Sequence, residues 1–357
     1  MATSQSIPWS PPSNWTRLCA VDLHTEGEPL RVLISGLEPI PGRSMLEKRR
    51  YAQAHLDGLR RLLILEPRGH ADMYGAIVTE PTSPDSDLGV LFLHNQGWST
   101  MCGHGLIALV TCLLETGLSP STYPGLDPEY LRAKGELRLD TPAGQVLARP
   151  TWAPDGRRVT RVTFRNVASF TYALDETVEV PGLGRVRYDL AFGGAFYAYA
   201  EAAEVGLDLE AGAYRGLIEA GTVIKQAVMA AVEIRHPIEP DLGFLYGVIL
   251  GGPAQNPAHQ ARNVCIFAQG EVDRSPTGTG VSGRAALEYV RGRLRPGQPF
   301  TVEGILGTTF TVTIVEEVDF HGFPAVVPEV SGRAWLTAWH QFLLAPNDLL
   351  CEGFLLR

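Results

Sequence analysis

The sequence lacks a C-x-x-C pair, and its five cysteines, at 19, 102, 112, 265 and 351, are odd in number and irregularly spaced. That excludes structural zinc of finger-type spacing and thioredoxin-like redox chemistry, and it points to a reducing compartment rather than a secreted disulfide framework. No basic run extends beyond residues 48–50, and 39 acidic against 30 basic residues leave a net charge of −9. A nucleic-acid backbone therefore meets no complementary surface. Apolar runs such as 106–114 are too short to span a bilayer, and MATSQSIPWSPPSNW has neither the basic start nor the apolar core of a signal peptide. These absences predict a cytoplasmic protein with no nucleic-acid or membrane partner.

What remains is a chain of 357 residues, 45% apolar and 19% charged, enough for two domains at roughly 100–200 residues each. The first sixteen residues, rich in Pro, Ser, Thr and Asn, read as a loose lead-in, with structure starting near Arg17. The runs LCAVDLHT, PLRVLISG, RRLLILEP, GAIVTE and LGVLFLHNQ, bounded by Gly, Pro and charged residues, read as strands. Residues 44–62, with Leu46, Tyr51 and Leu59 among Glu, Lys and Arg, suit an amphipathic surface helix. A second helix is expected from Gly103 through Glu115, apolar on nearly every side and so buried all round.

Strands return in ELRLDTPAGQVLARP, RRVTRVTFRNVASF and GRVRYDLAFGGAFYAYAEA, and the polar turn Ala153-Pro154-Asp155-Gly156 is the candidate domain boundary. Residues 207–233 read as helix, with Leu209, Leu217, Val223, Val228 and Val232 inward. The strands YGVILGGP and NVCIFAQGEV then lead to SPTGTGVSGRAALEYVRGR, a Gly-rich turn opening a third helix, and TVEGILGTTFTVTIVEEV returns to strands. Many strands around few central helices place the chain in the α/β or α+β class.

Thr100-Met-Cys102-Gly103-His-Gly105 and Ser275-Pro-Thr277-Gly278-Thr-Gly280 share the pattern [ST]-x-[CT]-G-x-G, each just before an apolar helix, close to half the chain apart. This suggests two pseudo-equivalent halves. The first N–H groups of a helix lack internal acceptors and carry the positive end of its dipole, so two such starts facing each other would hold a small carboxylate. Cys102, at such a start, is expected to have its thiol lowered from about 8.5 and to act as base or nucleophile. Cys19, Cys112, Cys265 and Cys351 read as small packed hydrophobes.

On spacing alone Asp273 reads as a loop or helix-approach residue, with a ligand ammonium as its other possible partner. The cluster Asp22, His24, Thr25, Glu26 and Glu28 reads as a hydrogen-bonded strand end rather than a metal site, and His70, Asp72 and His94 as structural. His104 either orients the turn or adds a donor and positive field beside Cys102.

The pieces DLHTEGEP (22–29), EPRGHADMYGA (66–76), STMCGHG (99–105), FGGAFYA (192–198), DRSPTGTG (273–280) and ILGTTF (305–310) together resemble the proline racemase family. The resemblance implies an α+β fold of the diaminopimelate-epimerase type, two pseudo-symmetric lobes each a mainly antiparallel sheet or barrel around a central helix. The first lobe would be residues 1–150, carrying Cys102 and rejoined by about 338–357. The second would be 151–337, carrying Asp273 and Thr277. It also implies a homodimer, a small imino-acid substrate, and no metal, pyridoxal phosphate or other cofactor.

Gly103, His104, Gly105, Gly278, Thr279 and Gly280 would offer N–H groups to the substrate carboxylate, Asp273 would take the ring ammonium, and Tyr74 and Phe267 would be aromatic walls. Two cysteines flank the α-carbon in the family's racemases and epimerases, but here Thr277 stands at the second position. A hydroxyl does not ionise near neutral pH, so two-base inversion loses one base. The Cys102/Thr277 pair resembles that of the family's trans-3-hydroxy-L-proline dehydratases, implying a hydro-lyase that forms Δ1-pyrroline-2-carboxylate. The alternatives are a proline racemase or 4-hydroxyproline 2-epimerase using water as second base, and a non-catalytic imino-acid binding protein.

Overall fold

The computed structural model describes residues 9–356. Its helices are α1 (Met45–His55), α2 (Asp57–Ile64), α3 (Gly103–Thr116), α4 (Pro128–Lys134), α5 (Tyr214–Ala231) and α6 (Gly278–Val290). The strands of the first half are β1 (Thr16–Thr25), β2 (Glu28–Ser35), β3 (Gly75–Thr79), β4 (Leu88–Leu93), β5 (Trp98–Ser99), β6 (Leu137–Thr141), β7 (Gly144–Trp152) and β8 (Val159–Arg165). Those that follow are β9 (Ser169–Val180), β10 (Gly184–Phe192), β11 (Phe196–Glu201), β12 (Leu245–Gly252), β13 (Ala261–Phe267), β14 (Glu271–Val272), β15 (Pro299–Glu303), β16 (Thr309–Phe320), β17 (Phe323–Gly332) and β18 (Ala334–Leu344).

Backbone pairing closes the later strands into a barrel, β9–β10–β11–β12–β13–β15–β16–β17 and back to β9. The earlier ones run β18–β1–β2–β3–β4–β6–β7–β8, with β8 paired to β17 and the chain passing from β17 through Arg333 into β18. The order of pairing repeats. In each half an antiparallel pair (β1–β2, β10–β11) is followed by a parallel one (β2–β3, β11–β12) and a hairpin (β3–β4, β12–β13). A two-residue strand (β5, β14) then leads directly to a central helix (α3, α6). β18 lies against β1 as β9 lies against β10.

Each central helix is enclosed by strands, α3 because its sequence has no polar face to offer water. In α3 every residue from Gly103 to Leu114 is buried, against β1, β2, β8 and β18. It stops where Gly117 takes a left-handed φ of 66°, a conformation that favours glycine. Helix α6 packs against β9, β10, β16 and β17. A continuous apolar core, including Leu106, Ile107, Phe164, Val281 and Phe310, runs through both.

The structure corrects several expectations. RRLLILEP is mostly helix α2, not a strand: its apolar residues are consecutive rather than alternating, and Arg60 turns inward to donate to the carbonyls of His94 and Asn95. The helix expected over 44–62 is two helices broken at Leu56, and the buried face of α1 carries Met45, Lys48, Arg49 and Ala52 while Tyr51 is exposed. The helix expected over 207–233 begins only at Tyr214, with Leu217 and Val228 buried and Leu209, Val223 and Val232 half-buried. The turn at 153–156 joins β7 to β8, two paired antiparallel strands. Of the lead-in, residues 1–8 lie outside the described residues, and Trp15 closes a turn onto Pro12.

Candidate active site

The N-termini of α3 and α6 abut. A Cβ built on Gly103 would lie 2.7 Å from the Cα of Gly278, and one on Gly278 equally close to the Cα of Gly103. Only glycine permits this approach, which explains the residue after the key position in both turns. The Gly193–Gly194 turn of FGGAF wedges against the same junction: Asn166 donates to the Gly193 carbonyl, and Thr100 to that of Gly194. Between the helix starts lies a cavity of about 10 Å³, lined by Cys102, Gly103, His104, Asp273, Thr277, Gly278 and Thr279, with Tyr74, Met101, Tyr197, Tyr246 and Phe267 as walls.

The structure thus brings together nearly all of the expected site residues. Gly105 and Gly280 are exceptions, since neither lines the cavity. The N–H of Gly105 donates to Cys102 Sγ at 3.3 Å, and the carbonyl of Gly280 accepts from Tyr199. Among the described residues, the N–H groups of Gly103, His104, Gly278 and Thr279 have no acceptor. Four donors at two positive helix ends therefore converge on one small space.

Cys102 occupies the N-cap of α3 in extended conformation and is 4% exposed. His104 Nδ1 stands 3.2 Å from its sulfur, and the His104 carbonyl accepts from Thr25 Oγ1, tying the turn to β1. The expected lowering of the Cys102 thiol is not found. Burial pushes the thiol well up, the charges of Asp273 and Glu28 add to this, and the Gly105 N–H and Tyr74 hydroxyl only partly oppose it. Desolvation of the thiolate outweighs a single helix end. Burial likewise lowers His104, so the ring is neutral and supplies a hydrogen bond rather than a positive field.

Thr277 is the N-terminal flank of α6 with a φ of 68°, a strained left-handed conformation for a β-branched residue. Its hydroxyl donates to Asp273 Oδ2 at 2.8 Å, while Asp273 Oδ1 accepts the Ser275 N–H. Asp273 is buried and aimed into the cavity with no basic side chain bonded to it among the described residues. Asp273 is thus a buried carboxylate of the cavity wall rather than a solvated loop residue.

Sequence reasoning missed Tyr197 and Tyr246. Tyr197 bonds Thr279 Oγ1 at 2.7 Å, and Tyr246 bonds Tyr74 at 2.8 Å while stacking on Phe267. Burial pushes all three tyrosine hydroxyls well up, so they stay protonated. The signal was faint: both lie in apolar strands, where an aromatic residue ordinarily means core. Glu28 was part of a cluster read as a strand end, and its Oε2 indeed accepts from the Arg274 N–H across the halves at 2.7 Å. Cys19, Cys112, Cys265 and Cys351 are free thiols, with Cys112 pushed up to about 12 by burial.

Residues 20–355 match the proline racemase family, and the chain belongs to it. A Colwellia psychrerythraea protein named trans-3-hydroxy-L-proline dehydratase is 43% identical, covering 98% of this chain and 96% of its own. A Burkholderia multivorans protein named 3-hydroxyproline 2-epimerase is 40% identical over 95% of this chain and 98% of its own. Among solved structures, a hydroxyproline epimerase from Agrobacterium vitis with bound trans-4-hydroxy-L-proline superimposes with a TM-score of 0.85 at 31% identity, covering 96% of both chains.

Proposed function

We propose that this protein is a cofactor-independent dehydratase that converts trans-3-hydroxy-L-proline into Δ1-pyrroline-2-carboxylate, on a two-lobed fold of the diaminopimelate-epimerase type. The observation that carries the reading is a single thiol, Cys102, sharing its cavity with a hydroxyl, Thr277, where inversion would need a second ionisable group. The dehydratase name of the Colwellia relative supports it. Five free thiols support a reducing, cytoplasmic location, and a homodimer is the assembly the reading carries with it.

The substrate carboxylate sits on the N–H groups of Gly103, His104, Gly278 and Thr279, which stabilise the charge that spreads onto it as the α-proton leaves. The ring ammonium sits on Asp273 and offsets the negative charge that pushes the Cys102 thiol up. Substrate binding thereby favours the thiolate that performs the reaction.

Stereochemistry gives Cys102 both proton transfers. In trans-3-hydroxy-L-proline the C3 hydroxyl is trans to the carboxylate and therefore on the same ring face as the α-hydrogen. The thiolate takes that hydrogen, the C–H electron pair forms the C2=C3 bond, and the C3–O bond breaks. The hydroxyl departs as water with the proton now on the Cys102 sulfur, so the thiolate is regenerated. The enamine then tautomerises to the ketimine, and Thr277, bonded to Asp273, has no proton to deliver to the opposite face.

A cavity of about 10 Å³ holds about one water and not a proline ring, so the two halves part to admit substrate. The reading is tested by incubating free hydroxyproline isomers with enzyme in D2O. Ketimine is expected from trans-3-hydroxy-L-proline, at least a hundredfold less from its cis isomer, and no inverted 4-hydroxyproline. A deuterated 2-epimer as the main product would establish the epimerase reading instead, and ligand binding without α-proton exchange the non-catalytic one.

A further inference from the structure

A second cavity, of about 730 Å³, opens between the halves behind the aromatic wall of the active site. Tyr246 and Phe267 line both spaces. One side of the larger cavity is given by α1 and carries Arg49, and another by α5 and carries Lys225. Cations are seldom placed this deep without a counter-charge. Arg49 is 8% exposed, and its one hydrogen bond is from Nε to the Trp98 carbonyl at 2.9 Å. Lys225 donates only to the Ala268 carbonyl, at 3.3 Å. Among the described residues neither forms an ion pair. The carboxylates whose fields reach them are Asp241, which pairs with Arg50 at 2.7 Å, and Glu271, which accepts the Asn95 N–H at 2.7 Å and whose charge favours the Lys225 ammonium. Both cations act on His94, in the same cavity wall, which burial and the surrounding positive charge keep neutral.

Two cations from opposite halves with no direct ion-pair partner among the described residues, above a floor of stacked aromatic rings, are complementary to a compact molecule with one carboxylate and an apolar ring. We propose that this interlobe cavity is a second binding site, for a small ring-bearing monocarboxylate held by Arg49 and Lys225 against Tyr246 and Phe267. The site is separate from Asp273 and the helix N-termini, so it requires no ammonium on its ligand. An anion there draws α1 and α5 together and thereby joins the two halves. The inference does not depend on the dehydratase reading, because it concerns binding outside the catalytic cavity.

Benzoate is a suitable probe, having the carboxylate and ring but no ammonium for Asp273. Calorimetric titration of the full chain is expected to show one benzoate site, weakened at least tenfold by Arg49→Met and by Lys225→Met, kept by Lys225→Arg, and unaltered by Asp273→Asn. Thermal melting confirms that each variant is folded, and the milder Lys225→Gln replaces any that is not. Absence of benzoate binding to the wild-type protein overturns the proposal. Binding that survives loss of both cations, or that Asp273→Asn abolishes, overturns it as well by placing the probe elsewhere. Equal binding of sulfate under the same conditions overturns the carboxylate assignment, leaving an unselective anion site.

Discussion

At the residue scale the site depends on how a buried thiol is made reactive. Burial and the charges of Asp273 and Glu28 hold Cys102 in its protonated form in the free protein. Because kcat/KM reports the ionisations of free enzyme and free substrate, it is expected to climb tenfold per pH unit through neutrality and past the ordinary thiol range. A flat profile between pH 7 and 9 would mean that the base is already ionised. Cys102→Ser is expected to abolish turnover with the melting temperature nearly unchanged, since one atom is exchanged in place. In Thr277→Cys a second thiol stands where the hydroxyl did, and chiral analysis should detect some inverted 4-hydroxyproline. If a folded variant yields none, the residue at 277 is not what separates elimination from inversion.

At the element scale the essential event is the meeting of two helices end to end. Helix α3 is directed there by the short strand β5, and α6 by β14, so each carries its first free N–H groups into the space between the halves. The contact has no tolerance: a methyl group on Gly278 would sit 2.7 Å from the backbone of Gly103. Gly278→Ala is therefore expected to cost about 1–3 kcal/mol by overpacking and to lower kcat at least a hundredfold by separating the carboxylate donors. Denaturant titration and steady-state kinetics check the two halves of that statement. Wild-type kcat in this variant would show that the N-termini need not touch. The interior of α3 is a simpler case, because apolar residues on every side already mark it as a buried helix.

At the scale of the molecule, the proposed reaction calls for the halves to open and close around a cavity of about 10 Å³. Several polar ties cross between them: Arg274 with Asp72 at 2.7 Å, the Arg274 N–H with Glu28, and Arg50 with Asp241. The exposed Arg50 pair contributes little, whereas the buried Glu28 contact leaves a carboxylate without that donor when it breaks. In the closed form Cys102, Cys112 and Cys265 are buried, and Cys19 and Cys351 are partly accessible. Iodoacetamide is thus expected to label Cys19 and Cys351 first and Cys102 only through opening. L-proline, which has the ring, carboxylate and ammonium of the proposed substrate but no hydroxyl to lose, should suppress the Cys102 labelling selectively, as peptide mass mapping would reveal. Rapid labelling of Cys102 that L-proline does not slow would show that closure is not coupled to occupancy.

Sequence by itself determined the thiol and the hydroxyl at two Gly-flanked helix starts, because such turns are written in a few contiguous residues. It also determined most strands and the buried character of α3, since alternation and uniform apolarity are local patterns. Tertiary structure alone decided that the two turns touch, that Asp273 is buried beside Thr277, and that Tyr197 and Tyr246 belong to the site. It also reversed the expected direction of the Cys102 ionisation and turned Arg49 inward from a helix read as surface. These features share one cause. Desolvation and close approach depend on what the rest of the chain places nearby, and no window of neighbouring residues contains that information.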